Sequence, residues 1–317
     1  MAIIGALSSS ELIDAVKRRA FLPNTQNALD DQDILNFLNE ELNDSVIPLI
    51  MSMHEEYFLT KTTIPLVANQ QNYKIPYRAV GRKIRDVKFA DPNGNLYRMP
   101  RVDPSQRDYF QHGEVFQPIA FHLQGDEIVV INKIGQSVNG SLEIMYYLKP
   151  NELVKENRVA TVTSIDLTNG ILTLSSIPSN LTVGSSVDLL EAKFGNRTLG
   201  FDKTITAIDN TNKTVTLGSG NVPSTMVVGD FIASAGECII PQIPVEMHSI
   251  LAERAAARCL ASLGDVNGVQ VANGKIAEME NKVGAMIDNR TEGQPQKVNN
   301  LQGLLRRSRV ARRRFFK

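Results

Sequence analysis

The chain has 317 residues, 42% hydrophobic and 21% charged, a globular composition of a size that suggests roughly two domains. Its 34 basic and 34 acidic side chains cancel, yet seven basic and no acidic ones fall between Arg306 and Lys317, which leaves 27 against 34 in the body. That balance excludes a uniformly basic nucleic-acid binder. An acidic body with a basic tip points instead to attraction between copies or to docking on an acidic partner.

The opening "MAIIGALSSS" lacks the basic start and the apolar run of a signal peptide, and no stretch reaches the roughly 18 apolar residues of a membrane span. Cys238 and Cys259 are the two cysteines, with no disulfide framework or metal-ligand spacing, so a soluble protein of a reducing compartment is expected. The first sixty residues read as helical. "SSSELIDAVKRRA" offers serine caps ahead of Glu11 and then Leu12, Ile13 and Val16 on one face, stopped by Pro23. From Asp30 and Asp31, candidate caps, Leu35, Leu38, Leu42, Leu49 and Met53 follow at helical spacing, with a kink or break expected at Pro48.

From about Thr62 the period changes to two. Short alternating runs such as "KIRDVKFAD", "IAFHL", "EIVVIN" and "SLEIMYYL" are split by turns at "DPNGN" and "QGD", which predicts an antiparallel meander. An internal repeat follows: "VTSIDLTNGILTL" (162–174) matches "ITAIDNTNKTVTL" (205–217) at an offset of 43. Beyond a two-residue slip, Pro178, Val183 and Gly184 match Pro223, Val228 and Gly229. The two copies are expected to form a small β-barrel or sandwich, since one hairpin alone is marginal in water.

Helix returns at Pro244 and ends at Gly264. Beyond it Val269, Ala272, Ile276, Met279, Val283 and Met286 keep a coiled-coil-like seam. After Arg290, "TEGQPQKVNNLQG" reads as a polar linker into the basic tip. The fold class predicted is therefore α+β. Residues 1–60 and 241–292 form a helical bundle from both chain ends, 61–150 an antiparallel β domain, 151–240 a tandem-repeat β domain and 293–317 an extended basic arm.

No enzyme signature is present: no P-loop, no G-x-S-x-G, no H-E-x-x-H and no G-x-G-x-x-G. His54, His112, His122 and His248 are scattered, and the neighbours Glu55/Glu56 and Glu278/Glu280 stand too close along a helix to face each other across a cleft. No catalytic residue, metal or cofactor is assigned. "RKIRD", with Arg82, Arg85 and Asp86, and "MPRVDP", with Arg101 and Asp103, place arginine beside aspartate. Local ion pairs account for them, and a contact between copies is the functional alternative.

The tail suits more than one partner. On DNA, Arg306, Arg307, Arg309, Arg312, Arg313 and Arg314 would neutralise phosphates while Phe315 and Phe316 stack on bases. On a protein, Leu304, Leu305, Val310, Phe315 and Phe316 would anchor in pockets and the arginines would pair with carboxylates. A membrane is disfavoured, because the apolar content is too low for stable anchoring.

"ELIDAVKRRAFLP", "VIPLIMSMHEEYF", "YKIPYRAVGRKIRDV", "YYLKPNELV" and "IPVEMHSILAERAAARCLASLGD", in this order, resemble the head-to-tail adaptor (connector) proteins of tailed bacteriophages over residues 10–155 and 240–317. The resemblance implies a structural virion protein of the neck between head and tail, assembled in the host cytoplasm. It further implies a ring of usually twelve copies below the portal protein, a platform for tail or collar proteins, and genomic DNA passing through its channel without sequence-specific binding. The family's portal-docking arm corresponds to Leu301–Lys317. A ring of identical subunits needs a heterologous interface. The exposed faces of the 10–58 and 244–290 helices, with Glu253, Arg254 and Arg258, are the candidates beside Arg82, Arg85, Asp86, Arg101 and Asp103. The alternative is a DNA-binding accessory protein of packaging or ejection that grips DNA with the arginine-rich tail.

Overall fold

The computed structural model describes residues 6–22, 29–106, 120–131, 139–192 and 197–287, the side chains of 285–287 excepted. Helix α1 (Ser9–Arg19) starts where Ser8 and Glu11 cap each other's backbone N–H, and α2 (Asp31–Glu41) starts on the same reciprocal device between Asp30 and Asp33. A π-helical turn, Leu42–Val46, joins α2 to α3 (Ile47–Met53). The ring of Pro48 would crowd the carbonyl four residues back in a regular α-helix. The wider turn ahead of it takes up that conflict, so the chain stays helical.

Among the described residues seven strands follow: β1 (Leu59–Pro65), β2 (Asn72–Lys74), β3 (Ala79–Ala90), β4 (Leu96–Arg98), β5 (Ala120–Gln124), β6 (Glu127–Ile131) and β7 (Ser141–Leu148). They make a four-stranded sheet in the order β1-β7-β3-β4 and a three-stranded sheet in the order β2-β6-β5. Tyr73, Ile128 and Phe121 from the smaller sheet share a core with Val87, Phe89, Leu142 and Ile144 from the larger one. The β3–β4 turn is tied by Asp91, whose Oδ1 accepts from the backbone N–H of Asn93 and Asn95.

The next strands are β8 (Glu152–Leu153), β9 (Ala160–Asp166), β10 (Ile171–Leu174), β11 (Ser186–Leu190), β12 (Thr198–Thr204), β13 (Ala207–Asp209), β14 (Thr214–Thr216), β15 (Phe231–Ser234) and β16 (Glu237–Cys238). Strands β8 and β16 form a short parallel ladder. The repeat occupies one sheet in the order β12-β11-β15-β9-β10-β14-β13. Its register reveals a local two-fold relation. Leu172 pairs with Val215, its own counterpart at the offset of 43, and Asp188 pairs with Ala233, its counterpart after the two-residue slip. Both hairpins turn on the same chemistry, Asp166 accepting from Thr168 and Asn169 and Asp209 from Thr211 and Asn212.

The barrel expectation needs correction. No ladder joins β12 to β13, so the sheet is not a closed barrel. These edge strands are consecutive in the chain, and Ile205 donates to Ser185 on one side while Thr206 donates to Thr216 on the other. One stretch of chain serves both edges, so it cannot also pair with itself.

Helices α4 (Val245–Ser262) and α5 (Val266–Ile287) complete the chain described. Gly264, at φ 78°, makes the reversal between them in a left-handed conformation that glycine, lacking a β-carbon, adopts at least cost. Leu12, Val16, Leu35, Leu38 and Ile50 share one core with Met247, Leu251, Ala255 and Cys259 of α4 and with Ala272, Ile276 and Val283 of α5. Leu190 and Ala233 of the repeat join the same core, so the β-sheet is fused to the bundle through buried apolar contact.

Candidate assembly interfaces

The most demanding polar feature is a buried hub where the two β regions meet. Arg78, just before β3, sends Nη1 to Asp188 Oδ2 at 2.7 Å and Nη2 to Asp188 Oδ1 at 2.9 Å, and it also reaches Asp202 Oδ1 at 2.6 Å. The Asp188 carboxylate, fully buried on β11, further accepts from Asn151 Nδ2 and from the backbone N–H of Asp202 and Gly236. Tyr77 donates its hydroxyl to Asp202 and accepts from Arg78. Burial works to lower the Arg78 pKa, and the hydrogen bonds to Asp188 and Asp202 outweigh it and hold it above the ordinary arginine value. Burial also raises the Tyr77 pKa, and the bond to Asp202 adds to it. A bidentate arginine–carboxylate pair with every lone pair engaged fixes orientation as well as position. The hub therefore sets the angle between the first β region and the repeat. Sequence reading missed it, although the signal was there: Asp188 interrupts the apolar run "VDLL", and a carboxylate in a buried strand needs a cation or several hydrogen-bond donors brought to it.

The helical candidates lie in a second network. Glu253, 6% exposed, faces Arg19 at 3.4 Å and Lys275 at 3.7 Å. Arg254 pairs with Glu41 and Glu280, and Arg258 with Glu40, Glu41 and Asp44. All three side chains are thus engaged within the protomer, tying α2, α4 and α5 together. The apolar surface of the bundle is concentrated at its turn end. Phe21 is 90% exposed there, and Val266, Val271 and Leu263 stand exposed around the α4–α5 reversal. Phe21 and Val271 line an open depression of about 240 Å³.

The β candidates are dispersed in part. Arg82, at φ 57°, stands 3.6 Å from Asp126, and Asp103 accepts from the backbone and hydroxyl of Ser105. Arg85, Asp86 and Arg101 come together in a cleft of about 520 Å³, joined by Arg98, which the sequence did not single out. Every residue of the tail, from Leu304 to Phe316, lies outside the described residues.

Reactive chemistry is sparse. Both thiols are free and buried; burial raises the Cys238 pKa and pushes Cys259 up to about 11, so neither is a ready nucleophile. Among the described residues no group of His, Cys, Asp and Glu stands ready to hold a metal ion, and no helix is long and apolar enough to cross a membrane.

Interlocked helical and β parts, a rigid charged joint and several open contact surfaces are the makings of an assembly component. The chain matches the family model of the SU10 adaptor protein over residues 8–177, more than half its length, and belongs to that family of phage structural adaptor proteins. The match spans α1 to the β10 region and so takes in the first helices, the first β region and the start of the repeat. No curated protein matches the chain.

Proposed function

We propose that this adaptor forms the head-to-tail ring below the portal of a tailed phage, extends the DNA channel and carries tail or collar proteins. Membership of the adaptor family is the observation that carries the reading. The resemblance adds the ring of about twelve copies. Residues Leu304 to Phe316 are assigned to an arm that docks on the portal, with Leu304, Leu305, Val310, Phe315 and Phe316 as apolar anchors and the six arginines pairing with portal carboxylates. The ring contact is assigned to the exposed bundle end around Phe21, Val266 and Val271, because a patch of large apolar side chains in a monomer marks a site of association. Arg258, in the last turns of α4 and with its side chain about one-third exposed, is the charged candidate for the rim of such a contact. The hub, by tying the repeat to the first β region, supports the repeat's role as a platform for tail or collar proteins.

The tail's charge also favours a second reading, DNA binding, and salt separates the two. Binding of the full chain to purified portal rings is expected to retain measurable affinity at 0.5 M salt and to weaken at least tenfold in a Phe315→Ala/Phe316→Ala variant. Affinity for duplex DNA that falls log-linearly with salt and exceeds that for the portal would replace this reading with the DNA-binding one.

A further inference from the structure

The Arg85–Arg101 cleft has the build of a strand-receiving site. Strand β4 covers only the far half of β3: Arg98 pairs with Lys88 and Leu96 with Ala90, and Met99 donates to Val87. Below Val87, residues Ile84 to Asp86 have no ladder partner on that side among the described residues, while β7 holds their other edge. A register shift at Arg85, between Ile84 and Asp86, bends the strand there and re-aims its side chain. Across the gap the chain leaves β4 and bridges Arg101 to Phe121 of β5, so the β3 edge and the Arg98–Arg101 stretch with β5 line the opening together. An exposed strand edge inside a cleft is a template for one further strand.

The side chains specify what that strand carries. Arg85, Arg98 and Arg101 line the cleft against one carboxylate, Asp86. Arg85 is already paired with Glu56 at 2.7 Å and Arg98 stands 3.6 Å from Asp86, whereas Arg101 is exposed and has no ion pair among the described residues. The floor is apolar: Met99 and Phe121 are 2% and 6% exposed, with Leu123 beside them. Successive side chains of an added strand alternate between the two faces, so one set meets the arginine lip and the other the floor.

We propose that this cleft binds an extended segment of a partner protein in which acidic residues alternate with apolar ones, its carboxylates on Arg98 and Arg101 and its apolar side chains on Met99, Phe121 and Leu123. Nucleic acid would satisfy the arginines but use neither the strand edge nor the apolar floor. The inference goes beyond the adaptor reading and does not depend on portal docking.

The test uses the full chain against an array of immobilised octapeptides in which apolar residues alternate with Glu, Gln or Lys. Binding is expected for the Glu series, at least tenfold weaker for the Gln series and absent for the Lys series. Arg101→Glu is expected to weaken the Glu series at least tenfold with an unchanged melting temperature, and Lys203→Glu, on the repeat, to leave it within twofold. Equal binding of the Glu and Gln series, or a Glu series indifferent to Arg101→Glu, overturns the proposal. So does displacement of bound peptide by a single-stranded oligonucleotide in an Arg101-dependent manner, which makes the cleft a phosphate site. A change of oligomeric state in Arg101→Glu with peptide binding intact overturns it too, by assigning the cleft to contact between copies.

Discussion

Replacing Arg78 by methionine removes the cation of the hub while keeping an unbranched apolar side chain in its place. The fully buried Asp188 carboxylate then loses two charge-assisted hydrogen bonds and keeps three neutral donors, from Asn151, Asp202 and Gly236. Asp202 and Tyr77 each lose a partner as well. Breaking a buried ion pair from one side costs about 3–5 kcal/mol, and the three donors that remain place this case near the lower figure. Urea unfolding followed by far-ultraviolet circular dichroism reads the loss as a fall in midpoint. A cycle with Asp188→Asn is expected to show a coupling of at least about 2 kcal/mol, because either single change already breaks the pair. A loss below about 1 kcal/mol for Arg78→Met, or strict additivity in the cycle, would refute the view that this pair holds the two β regions at a fixed angle.

Acid should weaken the bundle through His248. The ring is buried, its Nδ1 accepts from the Leu7 backbone N–H at 3.0 Å, and burial pushes its pKa down from 6.5 to about 4. The unfolded chain therefore binds the proton first, so stability falls as pH drops from about 6.5 to about 4, by on the order of 3 kcal/mol. His248→Asn, which keeps an acceptor for Leu7, should flatten that part of a melting-temperature profile, and an unchanged slope would show that another group titrates. The two hairpins offer an internal control. Gly170 (φ 65°) and Lys213 (φ 52°) hold the same repeat position, but a β-carbon at Gly170 would fall 2.0 Å from the Gly218 carbonyl oxygen. Gly170→Ala is thus expected to cost more than about 2 kcal/mol, whereas Lys213→Gly, which relieves a left-handed lysine at the expense of its bond to Ser175, should stay within about 1 kcal/mol. Equal effects in calorimetry would mean that the close approach to Gly218 does not constrain the turn.

Periodicity and local capping made the elements legible. The Ser8–Glu11 and Asp30 caps, the turn at Asp91 and the seam from Val269 to Val283 are local signals, and each stands where residues a few positions apart settle the matter. The internal repeat likewise showed in the sequence, because it needs only comparison of the chain with itself. What pattern could not supply was pairing over long separations. Arg78 meets Asp188 110 positions away, and Arg254 meets Glu41 213 positions away. The use of one stretch for both edges of the repeat sheet likewise depends on a three-dimensional turn at Ile205–Thr206. Of the β candidates, Arg85, Asp86 and Arg101 converge because β3 outruns β4, a mismatch in strand length that only the register displays. The family resemblance carried the functional reading further than any single motif, and the adaptor family model supports it at that coarser level.

Native mass spectrometry of this chain mixed with the portal protein of the same genome, full length beside a form ending at Asn300, would show whether it assembles on the portal and through which part. A discrete complex of many copies is expected with the full chain, and its loss on truncation. No complex with either form would contradict the adaptor-ring account, and a complex that survives truncation would take portal docking away from the arm and give it to the folded body.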